Sequence, residues 1–128
     1  MGQGEAERKK RGRLSRSGDF ERAYREGQSH GNRFLVLYEF PRPEGEADGV
    51  RLGISAGRDL GGAVVRNSVK RALREVFRDA SARLPDGHDF VLVARSDLVG
   101  LVEREGTAGV RDALDEVIRE SGLSRRSV

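Results

Sequence analysis

The stretch GGAVVRNSVKRALREVFR, from Gly61 to Arg78, begins with two glycines and continues as a run dense in Arg and Lys. Its apolar residues recur at helical spacing and Pro85 lies beyond it, so the sequence predicts a helix from about Ala63 to Leu84. On a wheel of about 100° per residue, one side is apolar, with Phe77 at its margin: Val65, Val69, Ala72, Leu73, Val76 and Ala80. The opposite arc is almost purely cationic: Arg66, Asn67, Lys70, Arg71, Arg74 and Arg78.

The cationic side of this helix lacks the mixture of signs that is usual on a solvated helix. Like charges follow one another at intervals of four residues from Arg66 to Arg78, and each such pair costs roughly a few tenths of a kcal/mol. Glu75, the one acid between them, lies off the centre of the arc. This pattern favours a surface completed by a polyanion, while a solvated face that happens to be basic stays open.

Two details of the stretch bear on what it could bind. Asn67 brings a donor and an acceptor among the cations, so it could contact a base edge or a sugar hydroxyl. Gly61 and Gly62 allow a ligand close to the electropositive N-terminus of the helix. The ending of a P-loop and the three-glycine spacing of a dinucleotide site are both missing, which excludes those two nucleotide motifs.

The composition limits the class of protein. The length of 128 residues predicts one domain, and charged residues make up 35% of the chain. Of the 24 basic residues, 21 are Arg, which suits forked contacts with phosphates, although the base composition of a genome can give the same bias. The absence of Cys excludes disulfides and thiolate metal sites. No apolar run approaches the roughly 20 residues of a membrane span, so we expect a cytoplasmic protein.

The rest of the chain is predicted as one domain between two basic ends. We expect a disordered arm at residues 1–13, a single domain at 14–123 and a tail at 124–128. Two further helices are predicted at Ser17–Gly27 and Thr107–Glu120, with an irregular turn at 97–105. Strands are predicted at Arg33–Phe40, Val50–Ala56 and His88–Arg95. The order α-β-β-α-β-α indicates a two-layer α/β (α+β) sandwich with a small sheet.

The alternation of side chains predicts which sides of the strands are covered. In the first strand Phe34, Val36, Tyr38 and Phe40 would point one way and Leu35, Leu37 and Glu39 the other. Both sides are largely apolar, so we expect both to be covered, at least in part. In the second strand one side carries the small residues Gly53 and Ser55, which would let another group approach the backbone closely.

Five segments together resemble the bacterial ribonuclease P protein component, the protein cofactor of the RNA enzyme that matures the 5′ ends of tRNAs. They are DFERAYREG, RFLVLYEF, RLGIS, RNSVKRALRE and HDFVLVAR, in the family's order and spacing from about Arg13 to about Leu123. The resemblance implies the family's α-β-β-α-β-α sandwich. It also implies a left-handed β-α-β crossover, an exception to the usual handedness.

The resemblance implies a role for the basic helix, which in this family contacts the catalytic RNA subunit. Ser68 stands where the family motif has its second arginine, which puts one phosphate contact in doubt. The residues that would contact the RNA subunit are Arg66, Asn67, Lys70, Arg71 and Arg74.

The resemblance also implies a cleft for the 5′ leader of precursor tRNA. Aromatic rings beside cations suit stacking with single-stranded RNA, although the residues alone favour Phe20 and Tyr24 as the core side of their helix. Asp59 stands where many relatives are basic, which would weaken leader binding locally. The residues matching the cleft are Phe20, Tyr24, Val36, Tyr38 and Arg58.

The expected enzyme is a ribonucleoprotein of one protein and one RNA, in which the RNA carries the chemistry and binds most of the Mg²⁺. A protein-only nuclease is one alternative, although its candidate residues have no metal-ligand spacing and the histidines are expected at the surface. Those candidates are His30, His88, Asp59, Asp86 and Asp89. The other alternative is a general RNA-binding or ribosomal-type module without an enzyme partner.

Overall fold

A four-stranded sheet and two helices make up the part of the chain that the structure, a computed structural model, describes: residues 27–41, 50–85 and 87–122. The strands are β1 (Gln28–Gly31), β2 (Leu35–Pro41), β3 (Val50–Ser55) and β4 (His88–Ala94). The helices are α1 (Ala63–Ala80) and α2 (Asp97–Ser121), and short 3₁₀ turns occupy Arg58–Leu60 and Ser81–Arg83.

The sheet is mixed, with the strand order β1-β2-β4-β3. β2 pairs antiparallel with both β1 and β4, whereas β3 and β4 are parallel neighbours joined through α1. This confirms the predicted α+β class and the alternation of strands and helices from β2 onward. The hand of the β3-α1-β4 connection stays a prediction from the resemblance. The predicted arm, the tail and the first helix before Gly27 lie outside the described residues.

One side of the sheet, which we call the helix face, carries the larger core. Leu35 and Leu37 of β2 and Phe90 and Leu92 of β4 are completely buried there and form one cluster with the buried sides of both helices. Phe77 of α1 packs against Phe90 with ring centroids 5.7 Å apart and planes tilted by 55°. Burial of each such side chain contributes about 1.5–3 kcal/mol to folding.

The opposite side, which we call the second face, has a smaller apolar cluster and a buried ion pair. Phe40 and Val91 are buried, and the half-buried Tyr38 and Val93 pack against them. Asp89 has no exposed surface and accepts two hydrogen bonds from the guanidinium of Arg51, at 2.8 and 2.7 Å. Both sides of β2 are therefore at least partly covered, as its apolar pattern predicted.

The edge strand β1 was not predicted, because its sequence QSHG has no apolar alternation. Its position depends on Asn32, whose side-chain oxygen accepts the backbone N–H groups of Phe34 and Leu35 at 3.0 and 3.1 Å. The amide of Asn32 donates to the carbonyl of Ala113 and to Glu116 in α2, at 3.1 and 2.9 Å. This turn delays the start of β2 to Leu35, and Phe34 packs against the core of the helix face rather than beside Val36.

The helix boundaries also differ from the predicted ones. α1 ends at Ala80 rather than Leu84, since the chain tightens there into a 3₁₀ turn. Residues 97–105 are helical instead of irregular, and Gly106, with φ 64° and ψ −149°, separates them from the predicted last helix. Phe77, which was predicted at the margin of the apolar side of α1, is buried. Val65, which was predicted within that side, is only half-buried. Among the described residues no helix is both long enough and apolar enough to cross a membrane.

Candidate nucleic-acid interface

The start of α1 is open to a ligand. Gly62 is the N-cap and makes no side-chain capping bond, and the first turn has no acid. Gly61 has φ 138°, a region that side chains disfavour, and a Cβ there would come within 3.2 Å of Val65. Val64 in this first turn is 84% exposed. The first N–H groups of the helix and one apolar side chain thus face outward together.

The predicted RNA-contacting residues form one side of α1. Asn67, Arg71 and Arg74 are exposed, while Arg66 and Lys70 are half-buried because they flank the apolar side. In the described part of the chain, the side chains of Arg66, Lys70 and Arg71 make no ion pair. Ser68, which replaces the second arginine of the motif, is exposed at the edge of this surface. We call Arg66, Asn67, Lys70, Arg71 and Arg74 the basic face.

The acids of α1 do not neutralise the basic face. Asp79 accepts a hydrogen bond from Arg111 of α2 at 2.9 Å, which directs its carboxylate toward the neighbouring helix. Glu75 is exposed and makes no ion pair with any described residue. Within the described residues, Arg66, Lys70 and Arg71 therefore lack the opposite charges that usually accompany cations on a solvated helix.

The second predicted surface lies on the second face. Val36 pairs with Gly31 of β1 and Val93 of β4, and Tyr38 pairs with Ser29 and Val91, so the two side chains share one side of β2. Both are half-buried. Phe20 and Tyr24, the other aromatic candidates for this surface, lie outside the described residues.

Cations gather where the parallel strands end. Arg58 lies in the 3₁₀ turn that follows β3 and is exposed, and so is its neighbour Asp59. Arg95 follows β4, is also exposed, and donates its backbone N–H to the carbonyl of Phe34 at 2.9 Å. The sequence interpretation did not single out Arg95. The sequence does place Arg95 at the end of a predicted strand, but only the structure shows that this strand is parallel to β3, which precedes Arg58.

The residues considered for a protein-only nuclease do not converge. His30 lies in β1 rather than a loop and pairs with Leu37, whereas His88 pairs with Pro41 at the other end of β2, about 13 Å along the strand. Both histidines are half-buried rather than on the surface, and His88 lies 3.6 Å from the buried Glu39. Asp89 is held by Arg51, and Asp86 lies outside the described residues.

No metal site is apparent in the described ranges, since no three His, Asp or Glu side chains there are arranged to hold an ion. The Arg, Lys and Asn side chains of the basic face are suited to binding anions. A small α+β domain with a helix that is cationic along one exposed side is typical of the class of nucleic-acid-binding proteins.

Sequence comparison identifies the class more closely. The family model described as Ribonuclease P matches residues 9–120 of this chain. The ribonuclease P protein component of Bacillus pumilus is 33% identical over 115 residues, covering 90% of this chain and 92% of that protein. Its counterpart in Clostridium acetobutylicum is 36% identical over 114 residues, covering 89% and 92%.

Solved structures agree with these sequence matches. The RNase P protein of Staphylococcus aureus superimposes with a TM-score of 0.74 at 32% identity, covering 88% of this chain and 96% of that one. The RNase P protein of Thermotoga maritima gives 0.73 at 34% identity, with the same coverages of 88% and 96%. The chain belongs to the ribonuclease P protein family. It is a protein subunit of the RNA-based enzyme that processes tRNA, and its partner is an RNA subunit.

Proposed function

We propose that the basic face of α1 binds the catalytic RNA subunit of ribonuclease P. The observation that supports this most directly is the set of outward cations, of which Arg66, Lys70 and Arg71 make no ion pair within the described residues. Phosphates would supply the missing opposite charge, and each neutralised phosphate releases counterions from the RNA. Asn67 lies among these cations and would add a hydrogen bond to a base edge or a ribose hydroxyl.

The second face, in this proposal, holds the 5′ leader of precursor tRNA. Val36 and Tyr38 lie side by side there and offer partly exposed apolar surface. Bases of a single strand stack on such surfaces with little dependence on sequence. Phe20, Tyr24 and Arg58 complete the proposed leader site, with Asp59 as an opposing charge beside Arg58.

The chemistry belongs to the RNA partner in this proposal, together with Mg²⁺ bound mainly by the RNA. That ion would activate water for attack on the phosphodiester. The protein contributes positive charge and position, as one protein bound to one RNA. A cytoplasmic location remains our expectation.

The decisive experiment is cleavage of a 5′-extended precursor tRNA at low Mg²⁺ by a bacterial ribonuclease P RNA, with and without the protein. We expect the protein alone to be inert and the RNA to cleave faster when the protein is present. If the protein binds RNA but never accelerates cleavage, the proposal is wrong and the general RNA-binding module replaces it. Cleavage by the protein alone would instead support the nuclease alternative.

The RNA-subunit site is tested separately by Arg66→Ala and Arg71→Ala. Loss of a charge-assisted contact should weaken binding by about 1.5–3 kcal/mol, measured as the affinity of the protein for the RNA subunit. For the wild-type protein, about five phosphate contacts predict a slope near −4 for log affinity against log salt. Arg119→Ala is the matched control, since Arg119 is exposed on α2 and its loss changes the net charge equally. Equal affinities for all three variants would contradict the proposed site.

The leader site is tested by Phe20→Ala with two substrates. We expect weaker binding of precursor tRNA to the assembled enzyme because a stacking partner is lost, at about 1–3 kcal/mol per base. Binding of mature tRNA, which has no leader, and assembly with the RNA subunit should be unchanged. An equal loss for both substrates would show that the variant acts on something other than the leader.

A further inference from the structure

The second face carries a charged pair that neither of the two proposed RNA sites uses. Arg51 of β3 and Asp89 of β4 are cross-strand partners, and the guanidinium donates to the carboxylate from Nε and Nη2 at 2.8 and 2.7 Å. Asp89 has no exposed surface, whereas the side chain of Arg51 is 25% exposed. Asp89 therefore fixes a cation that solvent reaches on this side of the sheet.

Folding alone does not require these two charges. Taking a pair of ions out of water is costly, and apolar residues of similar volume often leave stability unchanged or raise it. Phe40 and Val91, which lie beside the pair, are buried and apolar, so an apolar pair would suit this position. A ligand that needs a fixed cation explains the charges better than packing does.

Arg51 lies on the same side of the sheet as the proposed leader site. Three rows of residues cross the second face from β2 through β4 to β3. The rows are Phe40, Asp89 and Arg51; Tyr38, Val91 and Gly53; and Val36, Val93 and Ser55. The first row holds the charged pair, and the other two hold the apolar surface proposed for the leader. The guanidinium of Arg51 therefore lies at one end of that surface.

Arg58 lies at the other end of the same surface, in the turn that follows β3. From Arg51 to Ser55 the strand advances by about 13 Å, at roughly 3.3 Å per residue. The residues of β3 that share this side with Arg51 are small, Gly53 and Ser55, so no long side chain of β3 separates the two cations. Cations at both ends of an apolar surface suit a few nucleotides of single-stranded RNA.

The position of the basic face gives the bound leader a direction. Arg58 lies shortly before the start of α1, where the RNA subunit is proposed to bind, whereas Arg51 lies at the opposite end of β3. Since the catalytic RNA would be held at α1, the leader nucleotides next to the cleavage site would lie near Arg58. The nucleotides farther from the cleavage site would then reach Arg51.

We propose that Arg51 is a leader-binding residue, which contacts a phosphate a few nucleotides upstream of the cleavage site, and that Asp89 is its positioning residue. A guanidinium carries five N–H donors, so the two bonds to Asp89 are compatible with a further bond to a phosphate. Because Asp89 already holds the side chain, the contact costs little side-chain ordering. This inference rests on the proposed leader site and adds to it an upstream contact and a direction.

The test removes the pair without leaving a buried charge. Arg51→Met together with Asp89→Val removes both charges, keeps the net charge of the chain and introduces apolar side chains of similar total volume. Urea denaturation first confirms that the double variant is folded. The assembled enzyme is then titrated with mature tRNA, with a precursor carrying a one-nucleotide leader and with a precursor carrying a longer leader. We expect a loss of affinity of about five- to tenfold for the longer leader, and no change for the other two substrates or for the RNA subunit.

The dependence on leader length separates a contact from a structural role. If the double variant binds the longer leader as the wild type does while Phe20→Ala weakens that binding, this inference is overturned and the proposed leader site stands. If Phe20→Ala also has no effect, the leader site itself fails. An equal loss for all three substrates would show that the pair acts through the fold, and would overturn the inference as well.

A second measurement uses the wild-type protein. In the precursor with the longer leader, single leader phosphates are replaced in turn by uncharged methylphosphonates, and binding to the assembled enzyme is measured for each. We expect one sensitive phosphate beside the cleavage site, near Arg58, and another a few nucleotides upstream. The upstream sensitivity should disappear in the double variant. If no upstream phosphate is sensitive in the wild type, the inference is overturned even where the double variant fails to fold.

Discussion

The two helices bury similar apolar sides against the sheet, but the sides that face solvent differ in the sign of their charge. Each buries an apolar side in the same cluster of the helix face, through residues such as Leu73 and Val76 in α1 and Leu114 and Ile118 in α2. Outward, α1 carries five basic residues and two acids, whereas α2 carries three basic residues and seven acids. The inward sides thus satisfy the same requirement of packing, and the outward sides differ because the fold does not determine them.

The outward charges of α1 are unfavourable for an isolated protein. Its row of cations places only like charges one turn apart, whereas α2 also has opposite charges at that spacing, such as Arg111 with Asp115 and Asp115 with Arg119, beside like pairs such as Asp112 with Glu116. A helix required only for folding would gain from opposite pairs and would lose stability through a row of like charges. Binding of phosphates, as proposed for the basic face, would remove this cost.

The shared inward role predicts the largest effect on stability. Leu73→Ala and Leu114→Ala each remove a completely buried side chain from the same cluster. We expect each to lower the free energy of unfolding by about 2–5 kcal/mol, measured by urea denaturation. If only one of the two substitutions lowered the free energy of unfolding, the inward sides of the two helices would not contribute equally to stability. The control is Arg119→Ala, which should stay within about 0.5 kcal/mol of wild type.

Much of the fold was predictable because buried apolar residues recur with the period of the helix or strand that carries them. β2, β3, β4, α1 and the second part of α2 were all predicted within a few residues of their observed ends. β1 was missed because a four-residue polar edge strand has no such periodicity, and its turn depends on hydrogen bonds of Asn32 with α2 that are distant in sequence. The helical segment 97–105 was missed because Gly100 and Gly106 interrupt its helical signal.

The candidate site, like the fold, was only partly predictable from the sequence. The basic face followed from the sequence alone, since a wheel is enough to place residues on one side of a helix. The pairing of Asp79 with Arg111 joins residues that are 32 apart in sequence, and so it required the packing of α1 on α2. Arg95 was missed for a similar reason, because only the parallel register of β3 and β4 brings the ends of these strands together.

The interruption of α2 gives a second, smaller contrast with the unbroken α1. Gly106 has φ 64° and ψ −149°, a conformation that residues with a Cβ rarely adopt. We expect Gly106→Ala to lower the free energy of unfolding by about 1–3 kcal/mol, although no neighbouring atom would obstruct the added methyl. The measurement is urea denaturation of the folded protein.

The matched control for this prediction is Gly100→Ala in the same helix. The nearest atom to a Cβ there is the flexible end of Arg104, at 3.0 Å, and alanine favours the helix by about 0.5–1 kcal/mol over glycine. The two substitutions should therefore have opposite signs. If both were neutral, the break at Gly106 would carry no conformational cost, and α2 would tolerate a continuous helix as α1 does.

The smallest effect is expected at the ion pair that joins the outward sides of the two helices. In the pair of Arg111 with Asp79 the side chains are 42% and 61% exposed, so water screens their attraction and the pair contributes about 0–1 kcal/mol to stability. Arg111→Ala should therefore change the midpoint of urea denaturation only slightly. A loss of stability well above 1 kcal/mol would mean that water does not screen the pair as its exposure predicts and that the pair holds the outward sides of α1 and α2 together.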